Sequence, residues 1–158
     1  MSIPYSTATS GDKALMELQR TLGKFGCQSF GTMTDAEKGE TIVQFRWRNR
    51  DFSLRASWKG YATAWLKDNP YRNRMRCTRQ QHEQTALKQA QVSVCSVLRD
   101  WVKGQVTAVE CGIMSFEAAF AVHILLPSGE RVIDKIFEHI GPLQLEDKTN
   151  VIDMQKRT

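Results

Sequence analysis

The sequence predicts an α+β fold, with a small antiparallel sheet (a β-hairpin plus a third strand) packed on one long helix and followed by a helical C-terminal region. Three observations support this. Residues 41–48 and 52–58 each alternate strictly with a period of two, residues 78–112 hold helical spacing throughout, and helical spacing returns over 132–140. At 158 residues, 41% hydrophobic and 25% charged, the chain can bury the core of one domain, expected over 1–140 with a loosely ordered tail at 141–158. This composition excludes a collagen, a low-complexity tail and a disulfide mini-protein. No window nears the roughly 18 apolar residues of a membrane span, and the first twelve residues lack the pattern of a secretory signal, so a cytoplasmic protein with reduced cysteines is expected.

Each element has a local reason. Leu15, Leu18 and Leu22 recur at spacings of three and four over 12–23, with Ser10 placed to cap that helix and Gly23 to end it. Residues 25–33 read as the third strand and 34–40 as a polar turn. In the hairpin, Thr41, Val43, Phe45 and Trp47 alternate with Ile42, Gln44, Arg46 and Arg48, and Phe52, Leu54, Ala56 and Trp58 alternate with Ser53, Arg55 and Ser57. A turn at Asn49 and Arg50 pairs Trp47 with Phe52, Phe45 with Leu54, Val43 with Ala56 and Thr41 with Trp58. A one-residue slip would drive arginines into the core.

Residues 60–68 suit a short helix grouping Tyr61, Ala64 and Trp65, stopped ahead of Pro70. Residues 71–79 (YRNRMRCTR) lack apolar periodicity and read as an exposed basic connector. Thr78 and Gln81 form a capping-box pattern. The helix it opens carries Leu87, Ala90, Val94, Val97, Leu98 and Trp101 and runs past Gly104 to a cap at Gly112. Ser115 caps a short segment to Phe120, Pro127, Ser128 and Gly129 make a turn, and Val132, Ile133, Ile136, Phe137 and Ile140 mark a last amphipathic helix.

Net charge is distributed unevenly. Residues 1–43 hold four basic and five acidic side chains (net −1), 44–103 hold thirteen and four (net +9), and 105–158 hold five and eight (net −3), so a total of +5 conceals a strongly basic middle. On the hairpin face opposite the apolar set, alternating arginines stand roughly 7 Å apart, a spacing suited to the phosphates of a nucleic-acid strand. The expected nucleic-acid contacts are Arg46, Arg48, Arg50, Arg55 and Lys59 from the hairpin, and Arg72, Arg74, Arg76 and Arg79 from the connector. Trp65 and Tyr71 stand nearby to stack on bases. The same pattern is also that of a solvated sheet face or a loop made basic for solubility.

Catalysis has little support. The chain has no Gly-x-Ser-x-Gly elbow, HExxH, P-loop or GxGxxG motif, and Cys77 with His82 lacks a second pair at metal-ligand spacing. No cofactor is expected. Cys95 and Cys111, like Trp47, Trp58 and Trp101, are expected on apolar faces.

The order of strand, basic-faced hairpin, basic connector and long helix over 24–112 resembles the core of phage single-strand annealing proteins of the Redβ and ERF type. That resemblance implies single-stranded DNA in a basic groove, a ring-forming homo-oligomer and a role in recombination or replication. Residues 109–137, where an acidic, aromatic helix precedes a Leu-Pro-x-Gly turn, are similar to small uncharacterised phage or mobile-element proteins. A phage-encoded interaction factor using the same arginines on an acidic host protein is the alternative expectation.

Overall fold

The structure, a computed structural model, describes residues 2–141. Helix α1 (Gly11–Phe25) is followed by strands β1 (Ser29–Asp35), β2 (Glu40–Trp47) and β3 (Arg50–Ser57) and by helices α2 (Trp58–Asp68), α3 (Arg79–Glu110), α4 (Phe116–Phe120) and α5 (Val132–Ile140), with a 3-10 turn at Ala121–His123. The strands form one antiparallel sheet in the order β1-β2-β3. Both α1 and α2 pack along α3. One face of the sheet closes over this layer, burying Val43, Phe45, Phe52 and Leu54 against Leu18, Leu22, Ala90, Val94, Leu98 and Val102. The expected α+β class is the class observed. The tail expected from 141 onward falls, apart from Gly141, outside the described residues.

Local capping chemistry sets the helix ends. The Ser10 hydroxyl accepts from the Lys13 N–H, but α1 passes through Gly23 and stops at Gly26. Gly26 takes the left-handed φ of 108° at no steric cost and donates its N–H to the Gly23 and Leu22 carbonyls. Thr78 and Gln81 close the capping box of α3, whose 32 residues rise about 48 Å. At its far end, the Gly112 N–H reaches the Val109 carbonyl and the Ile113 N–H the Ala108 carbonyl, with Gly112 at φ 69°; this pair of bonds is a Schellman ending. The Ser115 hydroxyl caps α4 through the Ala118 N–H. Cys95 is buried as expected, whereas Cys111 sits at the α3 C-cap and is exposed, because the helix ends before its apolar face can carry it inward.

The hairpin register differs from the expected one by two residues. Trp47 faces Arg50, Phe45 faces Phe52, Val43 faces Leu54 and Thr41 faces Ala56, so the turn is Arg48 and Asn49, at φ 48° and 60°. Two consecutive positive φ values make the primed turn whose twist suits a two-residue hairpin. A shift of two preserves which face each strand residue occupies, and it lets Phe45 and Phe52 stack at 5.0 Å. It also frees Trp58 from the strand. Trp58 opens α2 instead, and its indole Nε1–H donates to the buried Thr41 hydroxyl at 2.9 Å.

Two features had no counterpart in the sequence. The N-terminal segment is strapped across α2 and α3: the Ile3 N–H donates to Asp68, the Tyr61 hydroxyl to the Pro4 carbonyl, the Ser93 hydroxyl to the Tyr5 carbonyl, and the Gln89 amide to the Ala8 carbonyl. The Tyr5 hydroxyl donates to Asp100, which also binds Arg99, and Arg99 reaches Glu17 on α1. At the other end of the chain, Ile124 bridges Phe52 and Leu125 bridges Arg131, with the Leu125 N–H on the Asp51 carbonyl, so a short hairpin lies along part of the outer edge of β3 and leads into α5.

Candidate nucleic-acid interface

Cross-strand pairing decides how much of the arginine pattern is free to bind. On the sheet face away from the core, Arg46 lies opposite Asp51, and its Nε and Nη2 donate to the two carboxylate oxygens at 2.7 and 3.1 Å. The guanidinium beside it holds the Asp51 carboxyl below the usual carboxylate range, and Arg46 is raised by the same contact. Arg46 is therefore half of a bidentate pair. Arg55 lies opposite Ile42 on that face, exposed, and its charge helps lower Asp134 at the start of α5, after the larger effect of Arg131. Ile42 and Ser53 on this face are buried. The continuous row of arginines expected there reduces to Arg46, already paired, and Arg55.

Arg48 leaves the row because it is in the turn, and Arg50, expected at the tip, sits instead opposite Trp47 on the apolar side. At the tip the Arg48 guanidinium lies 4.3 Å from the Trp47 ring centroid, within cation–π range. Trp47 in turn stacks on Phe116 at 3.7 Å, with Phe25 at 5.7 Å from both rings. Lys59 is at the opposite end of the sheet, in the first turn of α2 and beside Gly39 of the β1–β2 turn.

The connector between α2 and α3 is anchored from beneath. The Tyr71 hydroxyl donates to the Cys77 carbonyl at 3.1 Å, closing the loop on itself, and the ring of buried His82 contacts the Asn69 carbonyl through Nε2 at 2.6 Å. Trp65 and Tyr71 flank His82 at 5.4 and 5.9 Å between ring centroids, and Arg79 lies over the Tyr71 ring at 5.4 Å. Trp65 and Tyr71, expected as stacking platforms, are half-buried in this cluster. Arg72, Arg74 and Arg76 stand exposed on the loop it holds. Among the described residues, no carboxylate lies within salt-bridge distance of Arg48, Arg50, Arg55, Arg72, Arg74, Arg76 or Arg79.

Sequence reasoning weighed His82 only as a metal ligand and missed its place beneath the connector. His82 continues the apolar stripe of Ala86, Ala90 and Val94 at steps of four, and that periodicity was the available signal. The free arginines thus form two groups, with Arg55 apart from both on the outer sheet face. From His82, under the connector, to Trp101, which meets Phe120 beside the hairpin aromatics, α3 rises about 28 Å, so connector and hairpin tip sit toward opposite ends of the fold.

Fold and site together define an α+β domain with a long central helix and two separated sets of uncompensated arginines. Comparisons with protein-family models, with curated proteins and with solved structures return no match to the chain. No helix among the described residues is long and apolar enough to cross a membrane.

Proposed function

We propose that the protein binds single-stranded nucleic acid through the connector arginines, with the hairpin tip as a second contact, and that it handles strands in phage or mobile-element recombination or replication as a homo-oligomer, without chemistry of its own. One observation carries this reading: Arg72, Arg74 and Arg76 are held exposed on a loop anchored by Tyr71 and His82, with no acidic partner among the described residues. A loop made basic only for solubility has no need of such anchoring, whereas a phosphate-binding loop gains from arginines whose backbone is already ordered. Charge without sequence-reading geometry suits backbone tracking. Self-association is supported by β1, an edge strand that is exposed along most of its length and carries neither Lys nor Pro to block pairing with another chain.

Fluorescence anisotropy of labelled single- and double-stranded oligonucleotides over a salt series, with the mass of the complex measured alongside, tests the proposal. Tighter binding of single strands, weakening steeply with salt, is the expected outcome. Absence of binding at low salt, together with freshly purified protein whose 260/280 nm absorbance ratio is that of protein alone, would move the same arginines to an acidic protein partner.

A further inference from the structure

The cavity beneath the hairpin turn combines aromatic walls, uncompensated cations and one unpaired carboxylate. We propose that it receives a single nucleobase and selects bases that carry an amino group where uracil and thymine carry a carbonyl, cytosine and adenine. The cavity measures about 220 Å3 and is lined by Trp47, Phe52, Phe116, Arg48, Arg50 and Glu117, with Ala121 and Ile124 closing it. That volume is below the range of about 300 to 1,000 Å3 typical of sites for whole cofactors and drug-sized ligands, and it suits one ring system.

The walls are packed against one another. Phe52 and Phe116 are buried and meet edge to face at 5.4 Å, and Trp47 is backed by Phe116 at 3.7 Å. Phe116 covers one face of Trp47 and the Arg48 guanidinium the other, so a planar ring entering here takes the place of Arg48 over the indole. Arg48 is held over Trp47 by a turn in which it adopts φ 48°, a conformation that favours glycine at that place. An arginine in the left-handed region carries a backbone cost, and its contact with the Trp47 ring offsets part of it.

Charge fixes the chemistry of the ligand. Two guanidinium groups and one carboxylate leave a net +1 at the mouth, matching one phosphate of a strand, and among the described residues none of the three is engaged in an ion pair. Glu117 can only accept hydrogen bonds, so it pairs with an amino group such as cytosine N4 and repels the carbonyl that uracil and thymine present at the same position.

Because this site deepens the nucleic-acid reading above, its test separates the two. Cytidine and uridine 5′-monophosphates are titrated into full-length protein, followed by tryptophan fluorescence, and labelled 12-mers of dC and dT are bound in parallel. Wild-type protein is expected to hold the cytidine nucleotide about five- to tenfold more tightly than the uridine nucleotide. Glu117→Gln, whose amide can also donate, is expected to remove that preference. Arg48→Ala with Arg50→Ala weakens both nucleotides, and Arg74→Ala with Arg76→Ala weakens the 12-mers while leaving mononucleotides untouched. Oligonucleotide binding that depends on the connector but shows no dC over dT preference overturns the base site and leaves the strand-binding reading standing. Selective mononucleotide binding without oligonucleotide binding does the reverse. Equal binding of the two mononucleotides, or a preference that survives Glu117→Gln, also overturns the site.

Discussion

Removing two connector arginines should change the salt dependence of binding by a calculable amount. For single strands, each neutralised phosphate contributes about −0.7 to the slope of log affinity against log salt. If Arg72, Arg74 and Arg76 each meet one phosphate, the connector contributes a slope of about −2.1, so raising salt from 50 to 200 mM costs about 18-fold through these contacts alone. The Arg74→Ala/Arg76→Ala protein retains about −0.7 of that slope and loses only about 2.6-fold over the same range. Both side chains are exposed and make no ion pair among the described residues, so the fold should be unaffected and stability should change by no more than about 0.5 kcal/mol per substitution. The assay is an anisotropy titration at four salt concentrations, checked by thermal melting of each protein. A double variant with the wild-type slope refutes the connector as the phosphate contact, and a slope reduced only alongside a large drop in Tm refutes its independence from the fold.

Other consequences can be checked separately. Tyr71→Phe deletes the bond to the Cys77 carbonyl without altering charge, and should weaken oligonucleotide binding a few-fold with an unchanged salt slope; a changed slope would show the hydroxyl acting on phosphate instead. Thr41→Val leaves the buried Trp58 indole N–H without its acceptor, and should cost about 2 kcal/mol, or about 4 to 8 °C in Tm, against no loss if that bond is dispensable. Asp100 is held below the usual carboxylate range by Arg99 and then by the Tyr5 hydroxyl, so its contribution is present above the unfolded carboxylate pKa and is lost as pH falls below about 4. Tyr5 is raised, chiefly by the same bond to Asp100, so its contribution is complete below about pH 10 and fades as pH rises further. Tyr5→Phe should therefore flatten both limbs of a urea-midpoint profile, and an unchanged profile would dismiss the contact. Burial pushes the Cys27 thiol up to about 11, leaving about one thiolate in a thousand at pH 8, so iodoacetamide should modify exposed Cys111 well before Cys27. Equal rates would contradict that burial.

Features that depend on a few neighbouring residues could be read from the sequence. The Ser10, Thr78 and Ser115 caps, the Gly112 ending, the turn at Ser128 and Gly129, and the face on which Phe45 and Leu54 lie all follow from local chemistry. Register was not legible, because pairings that differ by two residues place the same side chains on the same faces. The difference still mattered for the candidate site. The expected pairing sets Arg46 opposite Ser53, whereas the observed one sets it opposite Asp51 and removes it from the free charges. The basic connector was evident from its arginines, but its anchoring was not, since His82 and Asn69 meet only once α2 and α3 pack together. The N-terminal strap carries no periodicity to read, and its partners lie as far away as Asp100.

That strap also has a place in time. Tyr5 is synthesised before its partner Asp100, which follows 95 residues later, at about 5 to 20 residues per second a wait of about 5 to 19 s. The remaining strap bonds span 57 to 88 residues and close large loops. Contacts so distant in sequence form late, after the helices and hairpin they join. Weakening them should leave the folding rate near its original value and show instead as faster unfolding, so a segment made well before its partners acts as the last fastening of the domain.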